Sequence, residues 1–241
     1  MGDAALRIAR AAGYVSAGTV EFLVDERGGF SFLEVNTRLQ VEHPVTELVT
    51  GLDLVALQLR IAAGEPLPFA QSDVRRRGAA IEMRVTAEDA RRGFVPATGR
   101  IALLREPAGP GLRVDSGLFD GLVVTSDYDP LLMKVIAHGV DRTEALARAR
   151  RAVRETIVAG LPTSLAFHAH VLDEPDFVAG RYDTAYVARH WPPRAPVELD
   201  DSQITAAALV AVLAARGRAT RRLVASSDGA WSRAGREEAL R

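Results

Sequence analysis

The sequence predicts an α+β protein, and three observations predict it. Residues 18–25 (GTVEFLVD) and 30–36 (FSFLEVN) alternate in polarity on either side of Glu26-Arg27-Gly28-Gly29, the pattern of a hairpin. Short β-branched runs at 79–86, 99–105, 111–115 and 131–138 lie among Gly and Pro turns, which predicts a mostly antiparallel sheet. Residues 142–158 place apolar side chains at helical spacing, with Asp141 as the N-cap and Gly160 just past the end.

The remaining elements follow in order. Residues 4–12 (AALRIARAA) have helical composition and stop at Gly13. Residues 37–43 (TRLQVEH) are polar and irregular, closed by Pro44. Residues 45–63 read as one or two helices, interrupted near Gly51, with Asp53 as an N-cap and Gly64 as the stop. Pro66, Pro68 and the polar run to Gly78 form a connector in which Arg75 to Arg77 are solvated. Residues 163–172 are helical. Pro192, Pro193 and Pro196 mark a linker, and residues 202–215 an Ala-rich helix in the tail. The chain therefore divides at 1–65, 66–77, 78–191 and 192–241.

Composition removes several function classes. The 241 residues suit one large domain or two small ones, and 48% apolar with 25% charged residues is globular composition. A net charge of −1 gives no field to draw nucleic acid or an anionic membrane. The absence of Cys excludes disulfides, thiolate zinc sites and thiol nucleophiles. No apolar run approaches the ~20 residues of a bilayer span. Met1-Gly2-Asp3 lacks the basic start of a signal peptide, so a cytoplasmic protein is expected. Lys134 is the single lysine among 30 basic residues, and neither GxxxxGK[ST] nor GxGxxG occurs.

The hairpin carries the chemistry. If Glu26 to Gly29 form the turn, Asp25 opposes Phe30 and Glu21 opposes Glu34. Opposed like charges destabilise a sheet, and a hard divalent cation such as Mg²⁺ would compensate them. Asn36, two residues beyond Glu34, shares that face and offers a third oxygen. The alternative is that both carboxylates face solvent. Arg38, Gln40, Glu42 and His43 then crowd one loop. Arg38 could clamp a planar oxyanion and Glu42 act as a general base, or the two could form a surface ion pair. His43 before Pro44 reads as a loop-packing residue, and His168 and His170 as structural.

The run Glu34-Val35-Asn36-Thr37-Arg38-Leu39-Gln40-Val41-Glu42-His43-Pro44-Val45-Thr46-Glu47 resembles the signature of biotin carboxylases, the ATP-grasp component of acetyl-, propionyl- and related acyl-CoA carboxylases. Gly18-Thr19-Val20-Glu21-Phe22, Glu82-Met83-Arg84-Val85, Ala87-Glu88-Asp89 and Tyr128-Asp129-Pro130 resemble that family too, in its order, over residues 1–191. Carbamoyl-phosphate synthetases share the ATP-grasp core but fit the Arg38-to-Pro44 loop less well.

The resemblance implies the C-terminal half of an ATP-grasp domain at 1–65 and a biotin carboxylase C-terminal antiparallel-sheet domain at 78–191, followed by a helical linker tail. It implies that Glu21, Glu34 and Asn36 hold Mg²⁺ or Mn²⁺ on the phosphates of ATP. It implies that Arg38, Gln40 and the backbone of Val41 bind bicarbonate, that Glu42 deprotonates it, and that Arg84 steadies the biotin enolate. Read alone, Arg84 is as well a solvated strand residue, and Asp129 and Lys134 read as structural or subunit-contact residues.

The family's N-terminal α/β domain and Gly-rich ATP lid have no counterpart in the sequence, so a missing N-terminal half is an expected partner. A biotin carboxyl carrier domain, a carboxyltransferase subunit and a second copy of the chain are the others. No Met-Lys biotinylation motif of the Ala-Met-Lys-Met type is present, so biotin is expected on a separate carrier. Two alternatives stay open: a non-catalytic dimerisation or docking fragment, and a different ATP-grasp carboxylate ligase.

Overall fold

Three helices and a hairpin precede a small antiparallel sheet that is covered by a helix on each face. The structure is a computed structural model that describes residues 1–191 and, in the tail, Ser202, Thr205, Leu209 and Val212. Those four tail positions are helical. The rest of the predicted tail helix and the Pro-rich linker lie outside the described residues. Among the described residues no helix is long and apolar enough to cross a membrane.

The first part contains α1 (Gly2–Ala11), β1 (Thr19–Val24), β2 (Phe30–Asn36), α2 (His43–Thr50) and α3 (Leu54–Ala62). The break between α2 and α3 falls at Gly51, whose φ of 74° is the left-handed cap a β-carbon disfavours. Asp53 then caps α3, its side chain accepting from Ala56 N at 2.8 Å.

The hairpin differs from the expected register in an instructive way. Val24, not Asp25, faces Phe30, so the connection is one residue longer than Glu26–Gly29. Asp25 organises it, with Oδ1 accepting from Arg27 N and Gly29 N. A register shift between Glu21 and Phe22 then passes over Leu33 and restores Glu21 opposite Glu34. Without that bulge Glu21 would face Leu33, and Glu34 would project from the other side.

The second part follows with β3 (Ala79–Thr86), β4 (Glu88–Asp89), β5 (Val95–Pro96), β6 (Gly99–Arg100), β7 (Leu103–Arg105), β8 (Leu112–Ser116), β9 (Val123–Val124) and β10 (Leu131–Gly139). It ends with α4 (Arg142–Glu155), β11 (Ile157–Ala159), α5 (Leu165–Val171), α6 (Pro175–Val178) and α7 (Tyr186–His190). The main sheet has the order β3-β10-β8, antiparallel throughout. Met133, Val135 and Ala137 alternate along β10 and, with Ile81, Met83 and Val85, pack on Ala145, Leu146, Ala149, Ala152 and Val153 of α4. Burying such side chains contributes about 1.5–3 kcal/mol for each large one. The opposite face carries Lys134, Ile136, Arg113 and Asp115 and lies under α2, which packs on β3 and β10.

Two elements depart from the sequence pattern. The predicted strand at 99–105 is two strands, because the chain changes partner at Ile101–Ala102. β6 pairs with β9 and β7 with β11, while the fully buried Ile101 joins Ala87, Leu132 and Leu161 in a second core cluster. The helix at 142–158 ends at Glu155. The β-branched run Thr156-Ile157-Val158 is extended instead, and Ile157 and Val158 pair with β7.

Candidate functional site

The bulge at Leu33 brings Glu21, Glu34 and Asn36 together. Asn36 Nδ2 donates to Glu21 Oε1 at 2.7 Å and to Glu34 Oε1 at 3.2 Å, so one amide bridges both carboxylates. A cation would neutralise the opposed charges more fully than an amide does. A half-turn of that amide presents Oδ1 beside the carboxylates, which makes an all-oxygen donor set suited to Mg²⁺ or Mn²⁺. The residues therefore fit the implied metal.

The next loop, residues 37–42, is held in shape from inside and outside. Arg38 Nη1 donates to Leu39 O and Gln40 Oε1, both at 3.3 Å. His43 Nδ1 lies 2.7 Å from Gln40 O, which is the loop-packing role its place before Pro44 suggests. From the sheet, Lys134 Nζ donates to Val41 O at 3.2 Å. The considered Arg38–Glu42 ion pair gives way to another: Glu42 Oε2 accepts from Arg84 Nη2 at 2.5 Å. Both partners are about half exposed, so this contact is worth at most about 1 kcal/mol of stability. Its interest is positional, because it joins the loop to β3.

The sheet supplies a row of charge beneath the loop. Arg84, Lys134 and Asp115 stand opposite one another across β3, β10 and β8. Lys134 Nζ reaches Asp115 Oδ2 at 3.1 Å, and Arg113 Nε reaches Asp115 Oδ1 at 2.8 Å. Burial pushes the Asp115 carboxyl up, but hydrogen bonds from Arg113 and Lys134 hold it below the ordinary carboxylate range. Arg113 also donates to Glu47 Oε2 at 2.6 Å, while Glu47 Oε1 accepts from Leu54 N. The buried Glu47 thus ties α2 and α3 to the sheet.

The outer edge of β3 is fixed behind Arg84. Ser164 Oγ accepts from Thr86 N at 3.0 Å and donates to Arg84 O at 3.1 Å, and His168 Nε2 donates to the same carbonyl at 2.8 Å. Burial keeps the His168 imidazole below its ordinary range, so the neutral ring with its proton on Nε2 suits this place. His170 Nε2 meets His190 O, a structural contact as its sequence setting suggests. Elsewhere, Glu174, Asp176 and His190 also cluster, but Glu174 is engaged in capping α6 and accepting from Tyr186 Oη.

Sequence reasoning missed Ser164 and Glu82 and gave Lys134 no place in the loop. Ser164 and Lys134 meet Thr86 and Val41 across 78 and 93 positions, so no local spacing announces them, and what marks Glu82 is its burial, which appears only in the folded sheet. The lone lysine was the only signal that could have marked Lys134.

Residues 82–189 match the biotin carboxylase C-terminal domain family, and residues 1–70 match the ATP-binding domain of the carbamoyl-phosphate synthase L chain. The chain is 47% identical over 190 residues to the chloroplastic biotin carboxylase of Arabidopsis thaliana, covering 79% of this chain and 35% of that protein. It is 48% identical over 187 residues to the biotin carboxylase of a Nostoc species, covering 78% of this chain and 42% of that protein. The biotin carboxylase domain dimer of Hydrogenobacter thermophilus 2-oxoglutarate carboxylase, solved with MgADP, ADP and bicarbonate, superposes with a TM-score of 0.78. There the identity is 40%, covering 82% of this chain and 44% of that one. The chain thus spans less than half the length of these relatives.

Proposed function

Because the chain belongs to the biotin carboxylase family and matches its C-terminal part, we propose that it supplies the metal-, bicarbonate- and biotin-handling portion of a biotin carboxylase. The reaction is ATP- and bicarbonate-dependent carboxylation of biotin on a carrier domain, through carboxyphosphate. It is the first half-reaction of an acyl-CoA carboxylase. The carrier, a carboxyltransferase subunit, the N-terminal portion of the enzyme and a second copy of the chain are the partners this reading requires, in the cytoplasm.

Each residue has a task set by its chemistry. Glu21, Glu34 and Asn36 hold the divalent cation, which when bound lowers the electrostatic cost of phosphoryl transfer. Arg38, Gln40 and the Val41 backbone orient bicarbonate. Glu42 takes its proton, which makes an otherwise poor nucleophile competent to attack the γ-phosphate. Arg84 offers its guanidinium to the negative oxygen that develops on the ureido ring of biotin.

The observation that carries this reading is the 2.5 Å contact between Glu42 and Arg84. The residue read as the base of one step and the residue read as the stabiliser of the next touch, though 42 positions separate them. The test supplies in trans the N-terminal portion of a relative that this chain does not match, then assays bicarbonate-dependent ATP hydrolysis. Turnover that requires both pieces supports the proposal. A complex that forms but hydrolyses no ATP in response to bicarbonate contradicts it.

A docking role is favoured by one separate observation: Leu23, Phe30, Phe32 and Leu33 leave apolar surface exposed on the hairpin. Calorimetry with MgATP separates the two, since a pure docking module binds none even in the complemented complex.

A further inference from the structure

Glu82 is the anomaly of the sheet. Its side chain is 5% exposed, yet neither carboxylate oxygen has a hydrogen-bond partner. Buried carboxylates are normally paired and fully bonded. The nearest cationic atom is Arg84 Nε, 3.5 Å from Glu82 Oε1 and beyond an ordinary hydrogen bond. The other end of the same guanidinium, Nη2, is held by Glu42. One guanidinium therefore stands between two carboxyl groups, one half-exposed and bonded, the other buried and unbonded.

We infer that Glu82 is a positioning residue that competes with Glu42 for Arg84 and takes the guanidinium over when Glu42 becomes protonated. This rests on the reading of Glu42 as the base that acts on bicarbonate. While Glu42 is ionised it holds Arg84, and burial without a hydrogen-bond partner favours the protonated form of Glu82. When Glu42 accepts a proton from bicarbonate, Arg84 loses its counter-charge. Glu82 then releases its own proton to the cleft of about 390 Å³ that Glu42, Glu82 and Arg84 share, and becomes the counter-ion. One proton is gained on Glu42 and one lost from Glu82, so the charge beside Arg84 is unchanged. The guanidinium is drawn toward the sheet and its fork is freed for substrate.

The surroundings agree with this. Burial pushes the Glu82 carboxyl up, Lys134 on β10 and Arg84 on its own strand pull it down, and Glu42 ahead of α2 pushes it up again. Arg142 of α4 and Tyr182 line the same cleft, and His168 of α5 and Asp183 line the adjoining cavity beside Glu82.

The test is a titration of the whole chain labelled with ¹³C at the Glu carboxyl carbons. The Glu82 signal is assigned by its loss in Glu82→Gln, or in Glu82→Asp if the amide does not fold. With Arg84 present, Glu42→Gln lowers the Glu82 midpoint by about one unit. In an Arg84→Gln background the same substitution moves it by less than about a third as much, because the competition has lost its object. Equal shifts in both backgrounds mean plain repulsion between two acids and overturn the inference, as does no shift with Arg84 present. The titration needs no turnover, so its failure leaves the bicarbonate reading of Glu42 standing, and that reading fails separately in the ATP hydrolysis assay.

Discussion

Lys134 Nζ donates to the Val41 carbonyl at 3.2 Å, reaching from the middle of the sheet to the loop that carries Arg38, Gln40 and Glu42. The ammonium is also paired with Asp115 and is only 12% exposed, so it is held from both sides. Lys134→Met removes a charge-assisted hydrogen bond worth about 1.5–3 kcal/mol. In the complemented enzyme the expected result is a raised KM for bicarbonate with a smaller change in kcat. Lys134→Arg does not restore it, since a planar fork cannot replace a compact ammonium at a single carbonyl. Steady-state kinetics with bicarbonate as the varied substrate checks both variants.

Glu21 and Glu34 repel each other across the hairpin unless a cation sits with them. Glu34→Gln therefore leaves the metal-free chain equally or slightly more stable, by a few tenths of a kcal/mol, since it relieves an opposed like-charge pair. Millimolar Mn²⁺ raises the thermal midpoint of the unsubstituted chain and leaves that of Glu34→Gln unmoved. Thermal scans with and without the ion read both effects.

Ser164 is buried and serves two backbone groups of β3, Thr86 N and Arg84 O. Ser164→Ala leaves Thr86 N without its acceptor and costs about 1–3 kcal/mol. Urea unfolding measures this as a lowered midpoint at constant m-value.

His168 links stability to pH. Burial puts its folded-state value below the ordinary 6.5, so the folded chain binds fewer protons than the unfolded chain in that window. Stability then declines as pH falls below about 6.5 and levels off below the folded-state value. Glu82 acts with the opposite sign: burial raises its carboxyl, so stability declines as pH rises from about 4.3 through its folded value. Urea midpoints across pH 4–8 should lose the acid-side decline in His168→Gln and the alkaline-side decline in Glu82→Gln.

Much of this was legible in the chain, for identifiable reasons. The strands 30–36 and 79–86 are marked by alternation and by turn residues at both ends, and they form over those residues. Asp53 and Asp141 announce α3 and α4 because N-capping is a local interaction. The opposition of Glu21 and Glu34 was reached through a turn one residue too short, an error that the unforeseen bulge at Leu33 cancelled. Nothing in FSFLEVN signals that bulge, because Leu33 is exposed and fits either face. The end of α4 was misplaced because helical periodicity tolerates Thr156-Ile157-Val158, and only the pairing of Ile157 and Val158 with β7 makes a strand there. The contacts of Glu42 with Arg84, and of Ser164 with β3, join residues far apart in the chain and became visible only in the folded molecule.

The most direct measurement is incorporation of labelled bicarbonate into free biotin by the complemented chain, compared with its Glu42→Gln variant at equal complex concentration. The account predicts ATP-dependent carboxybiotin formation that falls about 10²–10⁴-fold in the variant, the loss expected for a general base. Carboxybiotin formed equally well without the Glu42 carboxylate, or none formed by the intact complex, would contradict it.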